Sequence, residues 1–250
     1  MSDAATTTPA AVPTRRDDRA AHALRALRVE RGVNRYAEGS ALVTWGDTQV
    51  IATVSVEAKL PPHLRGRKQR AGWLTAEYGL LPRATHERGQ RERRVTNGRT
   101  QEIQRMVGRA LRTTLDLEAF AGRTLTVDCD VLQADGGTRC AGILAGYAAL
   151  RAWADRSVRD GTLAEWPLRC DVTAVSVGLL DGRPVTDLDH AEDDAATIDL
   201  NVVATADGRL IEVQGGTEGD PLEAEAYVGL IGRGLAGARS AFRAVEGDLP

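Results

Sequence analysis

The sequence predicts an α+β fold of mixed sheets packed with helices. Three stretches alternate apolar and polar residues on both sides of a glycine-bearing turn, the pattern of antiparallel hairpins. Separate segments carry helical periodicity. Most neighbouring strands are joined by hairpins and not by helical crossovers, which disfavours a doubly wound parallel sheet. With 250 residues and 42% hydrophobic content, the chain can bury a substantial core.

The elements follow in order. Residues 1–14 read as a disordered tail, without the basic and apolar stretches of a secretion signal. A single domain is expected over 15–245, with a short tail at 246–250. GSALVTWGDTQVIATVSVEA is a hairpin, with strands Ala41–Trp45 and Gln49–Glu57. A basic loop, PPHLRGRKQRAG, leads to the strand-like GWLTAEYGLLP. RATHERGQRERRVTNGR is a long basic loop without apolar periodicity, a length that favours a functional segment. TQEIQRMVGRALRTTLDLEAF is a helix, with Ile103, Met106, Val107, Ala110, Leu111 and Leu115 on one face and Thr96 or Asn97 as its cap. LTVDCDVLQ is a strand, DGGTR a turn, and Gly142–Arg156 a helix. DVTAVSVGLLDGRPVTDLD and IDLNVVATADGRLIEVQGG are hairpins that turn at Asp181-Gly182 and Asp207-Gly208. Glu223–Val245 is helical, with Leu230, Ile231 and Leu235 expected to be buried.

The formal net charge of −3 excludes a uniformly basic nucleic-acid binder. That average conceals a split. His63–Arg112 holds 13 lysines and arginines against 4 acids, a local +9, which leaves −12 on the rest. Three widely spaced cysteines, with no CxxC pair, suit reduced thiols in a cytoplasmic protein and argue against a zinc site. No run of about 18 apolar residues offers a membrane span.

Three constellations carry chemistry. The first is DGGTR, Asp135–Arg139, at a strand-to-helix junction. A helix N-terminus leaves N–H groups unpaired and carries partial positive charge, and glycines let the backbone close on a ligand. With the Thr138 hydroxyl as a cap and the Arg139 guanidinium, the turn suits a small oxyanion such as phosphate. An ordinary capped helix start is the alternative on spacing alone. Neither GxxxxGK[ST] nor GxGxxG occurs, so a P-loop and a dinucleotide fingerprint are excluded.

The second is TDLDHAEDDAATIDLN, Thr186–Asn201. Strand alternation puts Asp187 with Val185 on the buried side, where a carboxylate must be paired, hydrogen-bonded or metal-bound. Asp193 can turn back toward it. Carboxylates without thiol or imidazole partners suit Mg²⁺ or Mn²⁺ at Asp187 and Asp193, with Asp199 as a further ligand. A solvated acidic loop is the alternative.

The third is arginine. Arg65, Arg67, Lys68 and Arg70 share one loop; Arg83, Arg88, Arg91, Arg93, Arg94 and Arg99 share the next. Few aromatics interleave, so the clusters suit a phosphate backbone read by charge. A solvated loop or an acidic protein partner is the alternative. Arg105, Arg109 and Arg112 form a stripe expected to face solvent or another subunit.

The chain resembles the ribonuclease PH family from about Arg16 to Leu235. AEGSALVTWGDTQVIATVSVE, GWLTAEYGLLPRATHERGQRE, GRTQEIQRMVGRALR, VDCDVLQADGGTR, VSVGLLDG, DLDHAEDDAATIDLNVV and LIEVQGGTEG carry the resemblance. It implies the ribonuclease PH variant of the ribosomal protein S5 domain 2-like fold, and a homo-hexamer built as a trimer of dimers. It implies a phosphate-dependent 3′→5′ exoribonuclease that trims tRNA precursors, releases nucleoside diphosphates and runs in reverse. Phosphate would bind at Arg99, Gly137, Thr138 and Arg139. Asp187 and Asp193 would be the catalytic, Mg²⁺-binding carboxylates, and Arg83, Arg88 and Arg91 would contact tRNA. The alternative is a non-catalytic RNA-binding subunit of an exosome-like ring, but such subunits usually lack one of the two site clusters present here. Three departures stand out. The two basic loops differ in length from the usual pattern, which bears on substrate preference and ring contacts. His190 replaces a usual tyrosine between the two aspartates, which bears on pH dependence. Asp18 stands where glycine is usual, which bears on the conformation of the N-terminal arm.

Overall fold

The computed structural model describes residues 15, 17–64, 71–91, 97–217 and 219–249. Arg65, Arg67, Lys68 and Arg70 of the first basic loop, and Arg93 and Arg94 of the second, lie outside the described residues, as does the segment 1–14.

The strands are β1 (Leu27–Arg31), β2 (Gly39–Trp45), β3 (Thr48–Glu57), β4 (Trp73–Leu80), β5 (Thr124–Gln133), β6 (Val172–Leu180), β7 (Arg183–Thr186), β8 (Ile198–Thr205) and β9 (Leu210–Thr217). The helices are α1 (Gly98–Thr113), α2 (Thr138–Arg159), α3 (His190–Ala195) and α4 (Ala224–Val245). One sheet runs β1-β2-β3-β5-β4 and the other β7-β6-β8-β9. All pairings are antiparallel except β4 with β5, which are parallel and joined through α1. The expected α+β architecture holds, and the three glycine-bearing turns join β2 to β3, β6 to β7 and β8 to β9.

The sheets are held together by α2. It packs on β2 and β3 of the first sheet and on β6 of the second. Residues 140–150 are buried without interruption. A helix that is apolar all round belongs in a core, so α2 lacks the one-sided periodicity that would mark its ends. It begins at Thr138, four residues before the expected Gly142. Ile143, Leu144, Tyr147 and Leu150 are fully buried, each contributing about 1.5–3 kcal/mol of apolar transfer.

The second sheet is covered on both faces, which explains the continuous apolar run of β6. Val175 and Val202 face α4, where Gly234 and Gly237 permit the contact: a Cβ on Gly234 would lie 2.4 Å from Val202 Cγ2. Ser176 and Asn201, the next paired residues, point to the opposite face, toward α2. Of the α4 residues expected to be buried, Leu230 is, while Ile231 and Leu235 are half-buried.

Other boundaries differ from the sequence reading. α1 ends at Thr113, Leu115 pairs with Leu168 in an isolated bridge, and Leu117–Phe120 forms a 3₁₀ turn. Asn97 caps α1 as expected, accepting from the Thr100 N–H at 2.8 Å. Of the arginine stripe of α1, Arg105 and Arg109 are exposed as expected, Arg109 pairing with Glu212 at 2.6 Å, while Arg112 stacks 4.9 Å over the Trp73 ring and donates to the Leu74 carbonyl. In the expected tail, 246–248 form an exposed 3₁₀ turn, but Leu249 is buried and the Asp248 carboxylate accepts from the Val29 N–H.

Candidate active site

Gly136 and Gly137 adopt left-handed backbone, φ +74° and +67°, a conformation that favours glycine. Gly136 also lies against the backbone before α3: a Cβ there would be 2.5 Å from the Asp189 carbonyl carbon. The DGGTR turn and the carboxylate segment are therefore in direct contact. Gly137 is the N-cap of α2, and no side chain caps it. The Thr138 hydroxyl, expected as the cap, instead accepts from the Tyr78 hydroxyl at 2.9 Å. The first N–H groups of this 22-residue helix stay free for a ligand.

A cleft of about 250 Å³ opens at this helix end. Gly137, Thr138 and Arg139 form one wall, Arg99 from the first turn of α1 another, and Asp193 and His190 from α3 a third. Ser176 and Asn201 form the floor. Among the described residues, Arg139 Nε is buried without a hydrogen-bond partner, and the guanidinium lies 3.9 Å from the Glu102 carboxylate. A buried charged donor without a partner is costly, and an incoming anion relieves it.

The carboxylates separate into two groups. Asp193 reaches the cleft, and its carboxyl is held above the usual range, first by burial and then by the neighbouring Asp199 charge, against the pull of Arg139 and Arg99. Asp199 alternates with Asn201 along β8 and so shares its face. Asp187 is only 2% exposed, but strand alternation does not put it there. β7 ends at Thr186, and Asp187 turns at φ +60°. Its carboxylate accepts from the Arg25 N–H at 2.6 Å, Arg25 Nη2 at 2.7 Å, Trp45 Nε1 at 3.0 Å and Arg19 Nη1 at 3.3 Å. It does not line the cleft.

Asp189 and Glu192 form a reciprocal capping box on α3. Arg15 then grips Glu192 through Nε and Nη2, both at 2.6 Å, with the Thr186 and Asp187 carbonyls as further acceptors. Burial raises the Glu192 carboxyl, but Arg15, the Asp189 N–H and Arg19 outweigh it and leave it below the usual range.

The basic loop reaches the cleft on two sides. Arg91 borders an adjoining cleft between β4 and α1 that also includes Arg99. Arg83 borders a smaller one near Asp47 and donates to the His86 carbonyl. Thr85 lines all three clefts. Arg88 is exposed and touches neither wall. Sequence reasoning missed Tyr78, Thr85, Ser176 and Asn201. Only Asn201 had a signal, its two-residue spacing from Asp199.

The chain was compared with known proteins. Residues 23–153 match the 3′ exoribonuclease family, domain 1, and residues 171–233 match its domain 2. The chain belongs to this family. It is 49% identical over 242 residues to ribonuclease PH of Deinococcus radiodurans, covering 97% of each chain. Among solved structures it resembles the Archaeoglobus fulgidus exosome with RNA bound to the active site, with a TM-score of 0.77, 24% identity and 92% of each chain covered. It also resembles rice (Oryza sativa) Rrp46, with a TM-score of 0.76, 23% identity and coverage of 94% of this chain and 100% of that one. The fold is that of ribonuclease PH. Among the described residues, no helix is long and apolar enough to cross a membrane.

Proposed function

We propose that the protein is a phosphate-dependent 3′→5′ exoribonuclease of the ribonuclease PH kind, acting on the 3′ ends of tRNA precursors and other RNA. One observation carries the reading. The same cleft holds an anion pocket formed by Arg99, Gly137, Thr138 and Arg139, with an arginine donor unpartnered among the described residues, and the Asp193 carboxylate, which lies near the Asp199 charge.

The residues act as follows. The α2 N-terminus, Arg99 and Arg139 hold inorganic phosphate and fix its orientation for in-line attack on the terminal phosphodiester. A phosphate oxygen bonds to the terminal phosphorus, the bond to the preceding 3′-oxygen breaks, and that oxygen takes up a proton. A nucleoside diphosphate leaves, and the RNA is one nucleotide shorter. Substrate and product bonds are alike, so excess diphosphate drives addition. Arg83, Arg88 and Arg91 neutralise the RNA backbone.

A divalent cation fits the donor set. Asp193 opens on the cleft, and the Asp199 charge is close enough to raise its carboxyl. Mg²⁺ suits this, because it retains waters and uses one or two carboxylates together with substrate phosphates. Asp193 and Asp199 would hold it, and when bound it offsets charge on the phosphoryl oxygens. Asp187, the other catalytic carboxylate implied by the resemblance, is buried behind the cleft, where its carboxylate accepts from Arg25, Trp45 and Arg19. We further propose a cytoplasmic homo-hexamer, a trimer of dimers.

The test is one incubation of a 3′-extended tRNA with Mg²⁺, with and without phosphate. Nucleoside diphosphates appearing only with phosphate are expected. Monophosphates appearing equally without it would show hydrolysis. In the same assay Asp193→Asn is expected to abolish turnover while tRNA binding persists.

A further inference from the structure

We propose that Arg25 is a positioning residue. Acting with buried Asp187, it fixes the phosphate turn in register with the segment that carries Asp193. The proposal rests on the phosphorolytic reading above.

The geometry is specific. Arg25 is 7% exposed and does not line the cleft. Its donors divide between two partners. The backbone N–H, Nε and Nη2 go to the Asp187 carboxylate, at 2.6, 3.2 and 2.7 Å. Nη1 donates to the Asp135 carbonyl and Nη2 to the Gly136 carbonyl, the latter at 3.4 Å. One planar fork thus joins the two residues before the α2 N-cap to a carboxylate six residues before Asp193. A guanidinium can span both because its donors are rigidly arranged; an ammonium is a point charge and cannot.

Thr48 makes a second, independent tie to the same turn. Its hydroxyl accepts from the Asp135 N–H at 2.9 Å and donates to the Gly136 carbonyl at 2.7 Å. Trp45, across the same hairpin, donates to Asp187. The tip of the β2–β3 hairpin and the strand entering it thus hold both halves of the site from behind. Such a bridge governs where the free N–H groups of α2 and the Arg139 side chain sit relative to Asp193. A displacement of about 1 Å at reacting groups costs up to 10²-fold in rate.

The test uses Arg25→Lys and Thr48→Val, each in the full-length protein. Arg25→Lys keeps a charge opposite Asp187 but loses the fork. The KM for phosphate is expected to rise about tenfold or more, while the KM for RNA stays within about twofold. Thr48→Val removes only the hydroxyl, and its phosphate KM is expected to move in the same direction. A folded Arg25→Lys protein with wild-type phosphate KM would overturn the proposal, even if its melting temperature fell. So would an equal rise in both constants, which marks general loosening. If Arg25→Lys does not fold, the Thr48→Val result decides by the same criteria. Failure of the underlying reading is distinguishable, because the wild-type enzyme would then turn over equally without phosphate, and the proposal would fall with it.

Discussion

At the scale of single residues, Arg139 shows how a side chain becomes available for chemistry. It leaves the first turn of α2 with a buried, unpartnered Nε. Arg139→Ala is expected to lower kcat/KM for phosphate by about 10²–10³-fold, as loss of an oxyanion donor does, with little change in RNA affinity; steady-state kinetics with varied phosphate will measure it. Asp18 is a residue at odds with its backbone. It has φ +58°, and its N–H closes a turn onto the Arg15 carbonyl at 2.8 Å. A left-handed L-residue costs roughly 1–2 kcal/mol, less for aspartate, whose side chain bonds locally. Asp18→Gly is expected to stabilise the fold by about 0.5 kcal/mol once the added freedom of the unfolded chain is subtracted. Equilibrium urea unfolding of the two proteins checks this. The family resemblance marked position 18 as a departure from glycine, and the backbone gives the physical reason glycine suits it.

At the scale of elements, what was legible in the sequence was local. The turns at Asp181-Gly182 and Asp207-Gly208 and the Asn97 cap depend on residues a few positions apart. The strand β1 was missed because LRVER is short and sits at a sheet edge, paired only with β2. The division among the carboxylates was illegible for a different reason. Asp187 is buried by a single left-handed residue and by Arg25, 162 positions away, and no periodicity encodes either. The outer face of β5 carries a conflict of its own. Asp128 and Asp130 alternate on it, and Glu77 of β4 sits in register with Asp128. Burial, and then Asp130, raise the Asp128 carboxyl above its ordinary value; burial also raises Asp130, against the pull of Arg91. The sign follows from linkage. The native state holds this proton more tightly than the unfolded chain, so stability falls as pH rises from the unfolded to the folded value, and the full penalty stands at neutrality. Asp128→Asn is expected to raise the thermal midpoint at pH 7, by a margin that shrinks as pH falls toward about 4 and is lost below it. Melting curves across pH will show it.

At the scale of the whole molecule, an acidic body carries a basic segment that borders the cleft. This arrangement draws a polyanion to one place without making the protein a general nucleic-acid binder. The hexamer belongs to this scale too. Light scattering at micromolar concentration is expected to give a mass near six chains, and a monomer would refute the ring. The site itself was legible in outline, because DGGTR and the acidic run are contiguous motifs. Their meeting was not, because it depends on both sheets closing on α2. That placement has a thermodynamic corollary. The pocket proposed for the attacking anion is the first turn of a helix that both halves of the core require, so any opening of either half dismantles it. In the proposed reading, orthophosphate would bind only the fully assembled chain, and by mass action the cell's own supply of the co-substrate would double as a stabiliser of the enzyme that consumes it.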